Sequence, residues 1–431
     1  MKLFAVLGDP ILHSRSPLIH NGLFRHFGID AAYSRLHVSS PMDATRLVND
    51  IGFDGMNVTS PLKEELFPLM AAVDPMAKRL RAVNTVLHNE GVLFGANTDA
   101  AGVEGMLRQY VGDLRSKRAV VVGAGGAAKA AVAVLSDLGA KIEVVNRTFD
   151  KARLIAETYN CTARKFGELS QTLSGADVLL SCLPRGVEVI DARRLRPGMV
   201  VIDANYGQTT LKAKADSAGC RTIDAVHWLS HQAVAAFRLF AGQEVDISLV
   251  EEILEKAGSP TGGRKCVGLV GMMGSGKTTM GTALAERLGW EFVDTDRLIE
   301  SKAGRSISDI FAYDGEREFR RIEGEVIRGL AQRERAVIAF GGGSILSSEN
   351  RSIISRLCVT IWLWTDPATL ARRTSTTGRP LLAGGDAAER LVGLLRDRRN
   401  HYAAVSDLIV DANQPASDIL QDLDREYHQA F

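Results

Sequence analysis

Two apolar runs, each breaking into a glycine-rich loop and then a helical-period stretch, constrain this 431-residue chain more than any other feature. One is Ala119 to Val122 followed by Gly123-Ala124-Gly125-Gly126-Ala127-Ala128. The other is Val267 to Val270 followed by Gly271-Met272-Met273-Gly274-Ser275-Gly276-Lys277-Thr278. A strand that feeds a glycine loop opening a helix is the grammar of parallel α/β sheets, and the same alternation runs from Leu3–Leu7 into Leu18–Phe27. Two such loops this far apart call for more than one domain, and the length allows two or three full cores. The chain carries one convincing internal linker, the small, turn-forming run from Lys256 to Arg264, whose centre at 259–264 sets the main boundary.

The loops differ in what they can hold. In the first, Gly123, Gly125, Gly126 and Ala127 form G-x-G-x-x-A inside a βαβ unit whose second strand is predicted at Ile142–Val145. A protein that binds NAD places an acidic side chain on the ribose at the end of that second strand. Here the strand ends in Asn146-Arg147-Thr148, and a guanidinium and a hydroxyl suit the 2′-phosphate of NADP(H). The second loop is G-x-x-x-x-G-K-[ST]. Backbone N–H groups of Gly274, Ser275 and Gly276, with the helix start at Lys277, Thr278 and Thr279, cradle phosphates; Lys277 reaches the terminal phosphates and the Thr278 hydroxyl ligates Mg²⁺.

Composition removes several alternatives. A formal charge of +1 gives no concentrated positive field for nucleic acid or acidic membranes, so neither is expected as a partner. Five widely spaced cysteines form no C-x-x-C pair and read as reduced thiols. The opening run breaks at Gly8-Asp9-Pro10 before reaching signal length, and no later apolar run reaches membrane-spanning length, so a cytoplasmic location is expected.

Downstream of the second loop come, in order, Asp294-Thr295-Asp296 after a strand-like Trp290–Val293, the run Gly315 to Glu323 containing Arg320, Gly341-Gly342-Gly343 after Ala336–Phe340, Arg379-Pro380-Leu381-Leu382, and Arg398 ahead of Tyr402. Each alone is weak, since arginine-rich helices are usually solvated faces and triple glycines usually turns. The ordered set resembles shikimate kinase along the whole C-terminal segment. That resemblance implies ATP and Mg²⁺ as partners of the loop. It implies that Asp296 orients the attacking hydroxyl, that Arg320 and Arg398 clamp the shikimate carboxylate, that Gly341 to Gly343 approach the ring, that Asp294 supports Mg²⁺, and that Arg379 lies on a lid over ATP. The family's last motif usually reads R-x-P-L-Y; here Arg398-Arg399-Asn400-His401-Tyr402 leaves both arginines open as the carboxylate contact.

Ahead of the first loop lie His13-Ser14-Arg15-Ser16-Pro17, Gly55-Met56-Asn57-Val58-Thr59-Ser60-Pro61-Leu62-Lys63, Ala82-Val83-Asn84-Thr85 and Gly95-Ala96-Asn97-Thr98-Asp99. In this order they resemble shikimate dehydrogenase, a likeness that extends to Gln232. It implies that Lys63 is the general acid in reduction, that Asp99 holds it and bonds a substrate hydroxyl, that Ser14 and Ser16 bind the carboxylate, and that Thr59, Asn84, Tyr206 and Gln232 complete the pocket. Residue patterns alone leave Lys63 open to a plain salt bridge with Asp99 or Glu64. Asp224-Ala225 stands where Asp-Gly is common in that family.

Together these imply an N-terminal α/β substrate domain (1–100, completed by 235–258) with a Rossmann-type NADP-binding domain (101–234), followed by a separate three-layer α/β P-loop kinase domain (265–431). The expected function is NADPH-dependent reduction of 3-dehydroshikimate to shikimate, then ATP-dependent phosphorylation to shikimate 3-phosphate. The alternatives are a shikimate kinase fused to a quinate/shikimate dehydrogenase or to a non-catalytic shikimate-binding module. Oligomeric state has no sequence signal.

Overall fold

A computed structural model describes residues 1–259, 261–374 and 387–430. Arg379, expected on a lid, lies outside the described residues. The chain forms two compact units, residues 1–62 with 256–431, and residues 63–255.

The 63–255 unit is built on a six-stranded parallel sheet in the order Arg221–Ile223, Val200–Asp203, Val178–Ser181, Arg118–Val122, Lys141–Asn146, Thr162–Lys165. The chain leaves Arg118–Val122 for Lys141–Asn146 on one side and later fills Val178–Ser181 on the other. The resulting switch point puts a crevice at the carboxyl end of Arg118–Val122, where Gly123 begins. Helix Gly126–Asp137 then crosses the sheet with Ala128, Ala130, Ala131 and Ala133 buried; their small side chains let the helix lie close to the strands. The same unit carries the antiparallel hairpin Thr85–Asn89 and Val92–Ala96, and the helix Asp99–Tyr110 packed on Ala225–Ala241. At Gly102 a Cβ would fall 2.6 Å from Trp228 Cδ1, so those two helices approach more closely than any other residue there would permit. Ala225 is the first residue of its helix, capped by the Asp224 side chain on the Val226 N–H.

In the other unit eight parallel strands follow one another in the order Glu291–Asp294, Ala336–Ala339, Cys266–Val270, Cys358–Trp364, Leu408–Asp411, Ala31–His37, Lys2–Gly8, Gly55–Val58. Every residue of Cys358–Trp364 is buried, as expected of a parallel strand covered on both faces. The first five strands surround the phosphate loop after Cys266–Val270. The last three come from the N-terminal half. The kinase segment has the five parallel strands of the α/β P-loop domain expected of it, and its last strand also pairs beyond that segment: Leu408–Asp411 lies parallel to Ala31–His37, Ile409 opposite Leu36 and Val410 opposite His37. Each strand would otherwise be a sheet edge with unpaired N–H and C=O groups, and joining them removes both edges. The linker end is pinned as well, because Arg264 grips Asp407 with Nη1 to Oδ2 at 2.7 Å and Nη2 to Oδ1 at 2.8 Å. All five cysteines are free. No described helix is long and apolar enough to cross a membrane.

Candidate active sites

Lys63, Asp99, Asn84 and the dinucleotide loop all lie within the 63–255 unit. Lys63 is fixed from its backbone, where its carbonyl accepts the Val83 N–H at 2.8 Å. Its Nζ donates to Asp99 Oδ2 at 2.5 Å. Asp99 opens helix Asp99–Tyr110, where the helix dipole favours a carboxylate, and its other oxygen accepts Asn84 Nδ2 at 2.9 Å. Asn84 is held in turn, its Oδ1 accepting the Thr98 N–H at 2.6 Å, while Asn97 Oδ1 accepts the Asp99 N–H at 3.1 Å. The expected Lys63–Asp99 pair thus forms, and Glu64, the other candidate partner, bonds Lys129 instead at 2.8 Å.

The dinucleotide loop meets this pair. A Cβ at Gly126 would sit 3.4 Å from Lys63 Cδ, so loop and ammonium stem are neighbours. Gly123 has φ of +121°, and a Cβ there would lie 2.9 Å from the Cys182 carbonyl, so glycine is required both by conformation and by space. Burial, then the Asp203 and Asp99 carboxylates, push the Cys182 thiol up and keep it protonated. Gly125 precedes the helix Gly126–Asp137 without a side-chain cap, leaving first-turn N–H groups open to a pyrophosphate. At the end of Lys141–Asn146, Asn146 Nδ2 donates to the Thr148 carbonyl at 2.9 Å, and Arg147 and Thr148 are exposed. This donor set fits NADP(H). Tyr206 is half-buried, and Gln232 sits on the helix packed against Asp99–Tyr110.

Ser14, Ser16 and Thr59 belong to the other unit. Ser14 Oγ donates to Ser16 Oγ at 3.3 Å, and Thr59 follows directly on the strand Gly55–Val58. Beneath them Tyr33 donates to Asn57 Oδ1 at 2.6 Å and stacks on His20, whose imidazole burial pulls down to about 3.

The kinase segment holds a cavity of about 520 Å³ lined by Gly274, Lys277, Thr278, Asp294, Asp296 and Gly342 among others. Gly276 opens helix Lys277–Leu288 with no side-chain cap, so the same free N–H argument applies. Lys277 Nζ donates to the Gly271 and Met272 carbonyls, both at 2.9 Å, which holds the ammonium over the loop. Thr278 Oγ1 and Asp294 Oδ2 lie 3.0 Å apart, a hydroxyl and carboxylate pair of the hard-oxygen kind Mg²⁺ takes. The two aspartates belong to successive elements. Asp294 closes the strand Glu291–Asp294 and caps the helix Thr295–Ala303, accepting the Asp296 N–H at 3.0 Å, and Asp296 sits in its first turn.

The triple glycine is where the remaining residues converge. A Cβ at Gly341 would fall 2.7 Å from Asp296 Oδ1, and one at Gly343 2.5 Å from Arg320 Nη2. Arg398 Nη1 donates to the Gly342 carbonyl at 3.2 Å and Tyr402 donates to the same oxygen at 2.6 Å. Arg399 turns elsewhere, donating to the Ile51 carbonyl at 3.1 Å. One contributor was not singled out from the sequence. Glu323 is buried and accepts Arg320 Nη1 at 2.9 Å; burial raises its carboxyl and Arg320 opposes that shift. Its three-residue spacing from Arg320 on a helix was the signal, but such pairs are common on solvated faces.

The two sites define a chain of two classes, a dinucleotide-dependent α/β oxidoreductase and a P-loop phosphotransferase. Residues 6–86 match the shikimate dehydrogenase substrate-binding domain, 106–203 the shikimate/quinate 5-dehydrogenase family and 273–426 shikimate kinase. A shikimate dehydrogenase (NADP(+)) from Pyrococcus abyssi is 34% identical over 265 residues, covering 60% of this chain and 99% of that protein. The crystal structure of shikimate dehydrogenase from Aquifex aeolicus superposes with a TM-score of 0.56 at 31% identity, over 59% of this chain and 97% of that one. A quinate dehydrogenase from Corynebacterium glutamicum, in complex with NAD, gives 0.55 at 27% identity, over 59% and 99%. The chain belongs to the shikimate dehydrogenase family and carries a shikimate kinase domain behind it.

Proposed function

We propose that the chain performs two consecutive steps, reduction of 3-dehydroshikimate by NADPH and phosphorylation of the resulting shikimate by ATP to shikimate 3-phosphate. The observation that carries the first step is Lys63, bonded to Asp99 and adjacent to Gly126 of the dinucleotide loop. NADPH, when bound, supplies the hydride. Lys63 protonates the oxygen that becomes an alkoxide, Asp99 holds the ammonium and bonds a ring hydroxyl, and by resemblance Ser14 and Ser16 are the carboxylate ligands and Thr59, Asn84, Tyr206 and Gln232 further substrate contacts. Arg147, with Asn146 and Thr148, selects NADP over NAD, because no acid stands at that strand end to bond the 2′-hydroxyl.

In the second step Asp296 orients and deprotonates the attacking hydroxyl, Arg320 and Arg398 hold the carboxylate against Gly341 to Gly343, and Lys277 steadies the transferred phosphate. Thr278 and Asp294 would hold Mg²⁺, which supplies charge neutralisation on the phosphates. Arg379 is assigned to the ATP-closing segment by resemblance alone. By ligand, residues 1–100 with 235–258 form the substrate domain, 101–234 the NADP domain and 265–431 the kinase, and the protein works in the cytoplasm on small molecules.

Lys63→Ala is expected to lower reduction by ~10³-fold or more, in line with loss of a general acid plus its positioning, and to leave phosphorylation intact. Lys277→Ala is expected to do the reverse. Paired initial-rate assays check both, and loss of both activities from either change would refute two independent sites.

A further inference from the structure

The loop that carries Ser14 and Ser16 is held by the kinase segment. Glu426, on the last helix Ala416–Ala430, is 1% exposed. Its carboxylate accepts the Ile11 N–H at 2.8 and 2.9 Å and the Leu12 N–H at 2.7 Å. Ser14 N–H closes the same turn on the Ile11 carbonyl at 2.9 Å. From the opposite side the buried Arg35 donates through Nε and Nη2 to the Ser14 carbonyl at 3.0 and 2.6 Å, and through Nη1 to the Asp407 carbonyl at 3.1 Å. Both anchors of the turn thus lead to residues of the kinase half.

The surroundings of Glu426 are those of a fixed structural anion. His37 Nδ1 lies 2.7 Å from Glu426 Oε1 and its Nε2 3.3 Å from Asp422, while Arg425 reaches Asp9 at 3.1 Å. Asp9, His37 and Glu426 are close enough to suggest a metal cage. The arrangement does not need one: both imidazole nitrogens face carboxylates, and both Glu426 oxygens already take N–H bonds. Charge-assisted bonds to two successive backbone amides, in a site that excludes water, hold a turn far more rigidly than solvent could.

We propose that Glu426 is a positioning residue for the dehydrogenase reaction, fixing the Ile11-Leu12 turn so that Ser14 and Ser16 meet the substrate carboxylate in one geometry. This rests on the reading of the two serines as carboxylate ligands. It makes a residue of the kinase helix part of the dehydrogenase's substrate affinity. The helix's opposite end contributes Ala416 and Ile419 to the nucleotide cavity, roughly two turns away, so kinase turnover serves as an internal control.

The test is steady-state kinetics on the full chain with Glu426→Ala, Glu426→Gln and Ser16→Ala. Glu426→Ala is expected to raise the dehydrogenase KM for 3-dehydroshikimate about ten-fold, as if only about a tenth of molecules held the competent turn, with kcat within about two-fold. Glu426→Gln keeps an acceptor oxygen for the turn and should recover much of that loss. Kinase kcat and KM should stay unchanged in both, which also shows that the protein is folded. Ser16→Ala should raise KM with the free chain otherwise intact. If Ser16→Ala raises KM and the Glu426 variants do not, or if they lower kcat with KM unchanged, the positioning role is overturned while the serine assignment stands. If Ser16→Ala leaves KM unchanged, the serine assignment fails and the inference fails with it.

Discussion

At the scale of single residues, both sites consist of a charged group aimed by a buried neighbour. Lys63 is aimed by Asp99, and Arg320 by Glu323. Glu323→Gln would keep the shape and remove the charge that pairs with Arg320, so shikimate KM in the kinase assay should rise by ~10-fold while kcat changes little, a split that initial rates resolve. Arg147→Asp should reverse the cofactor preference, raising the KM for NADPH by about 10-fold or more through loss of a phosphate contact, with NADH improved in the same assay. Lys63, Asp99, Asn84, Lys277, Asp296, Arg320 and Arg398 were named from the sequence because each sits in a short motif; the Lys277 role follows from the phosphate loop itself, and the other roles are implied by resemblance to the two families. Glu323 was not named, because an ion pair three residues apart on a helix looks the same whether it faces water or a substrate.

Helices and strands were read well where glycine marks their ends. The strand expected at Val267–Val270 is Cys266–Val270, and the helix expected to start at Lys277 is Lys277–Leu288. At Asp294 a strand end and a helix cap fall on one residue, which closes Glu291–Asp294 and caps Thr295–Ala303. The last helix was opaque: nothing in the sequence of Asp422, Arg425 and Glu426 points to His37. There, burial alone would lower the imidazole, but the Asp422 and Glu426 carboxylates more than offset it and hold His37 up at about 9 from an ordinary 6.5. A group raised on folding contributes its full stability below the unfolded value and loses it as pH climbs through the folded one. Stability should therefore fall between about pH 6.5 and 9, by roughly 3 kcal/mol at most. His37→Gln should flatten that slope in denaturant titrations run across the window; an unchanged slope would show that His37 is not the titrating group.

For the whole molecule, the unexpected feature is the run of eight parallel strands that passes from the kinase segment into Ala31–His37, Lys2–Gly8 and Gly55–Val58. Sequence showed two motif sets and a linker, which reads as two enzymes joined by a tether. Strand pairing across the set boundary leaves no sequence trace, since any two apolar parallel strands can be neighbours. With Leu408–Asp411 paired to Ala31–His37, residues 1–258 and 259–431 co-expressed as separate chains should co-purify, and 259–431 alone should aggregate through its uncovered edge. Two fragments that each stay soluble and never associate would contradict the shared sheet. The central claim is that one chain carries out both steps. Its most direct test gives the purified protein 3-dehydroshikimate, NADPH, ATP and Mg²⁺ together, following absorbance of the nicotinamide and the phosphorylated product. Stoichiometric NADPH loss with shikimate 3-phosphate accumulating is the predicted result; phosphorylation of added shikimate without any reduction of 3-dehydroshikimate by either nicotinamide cofactor would contradict it.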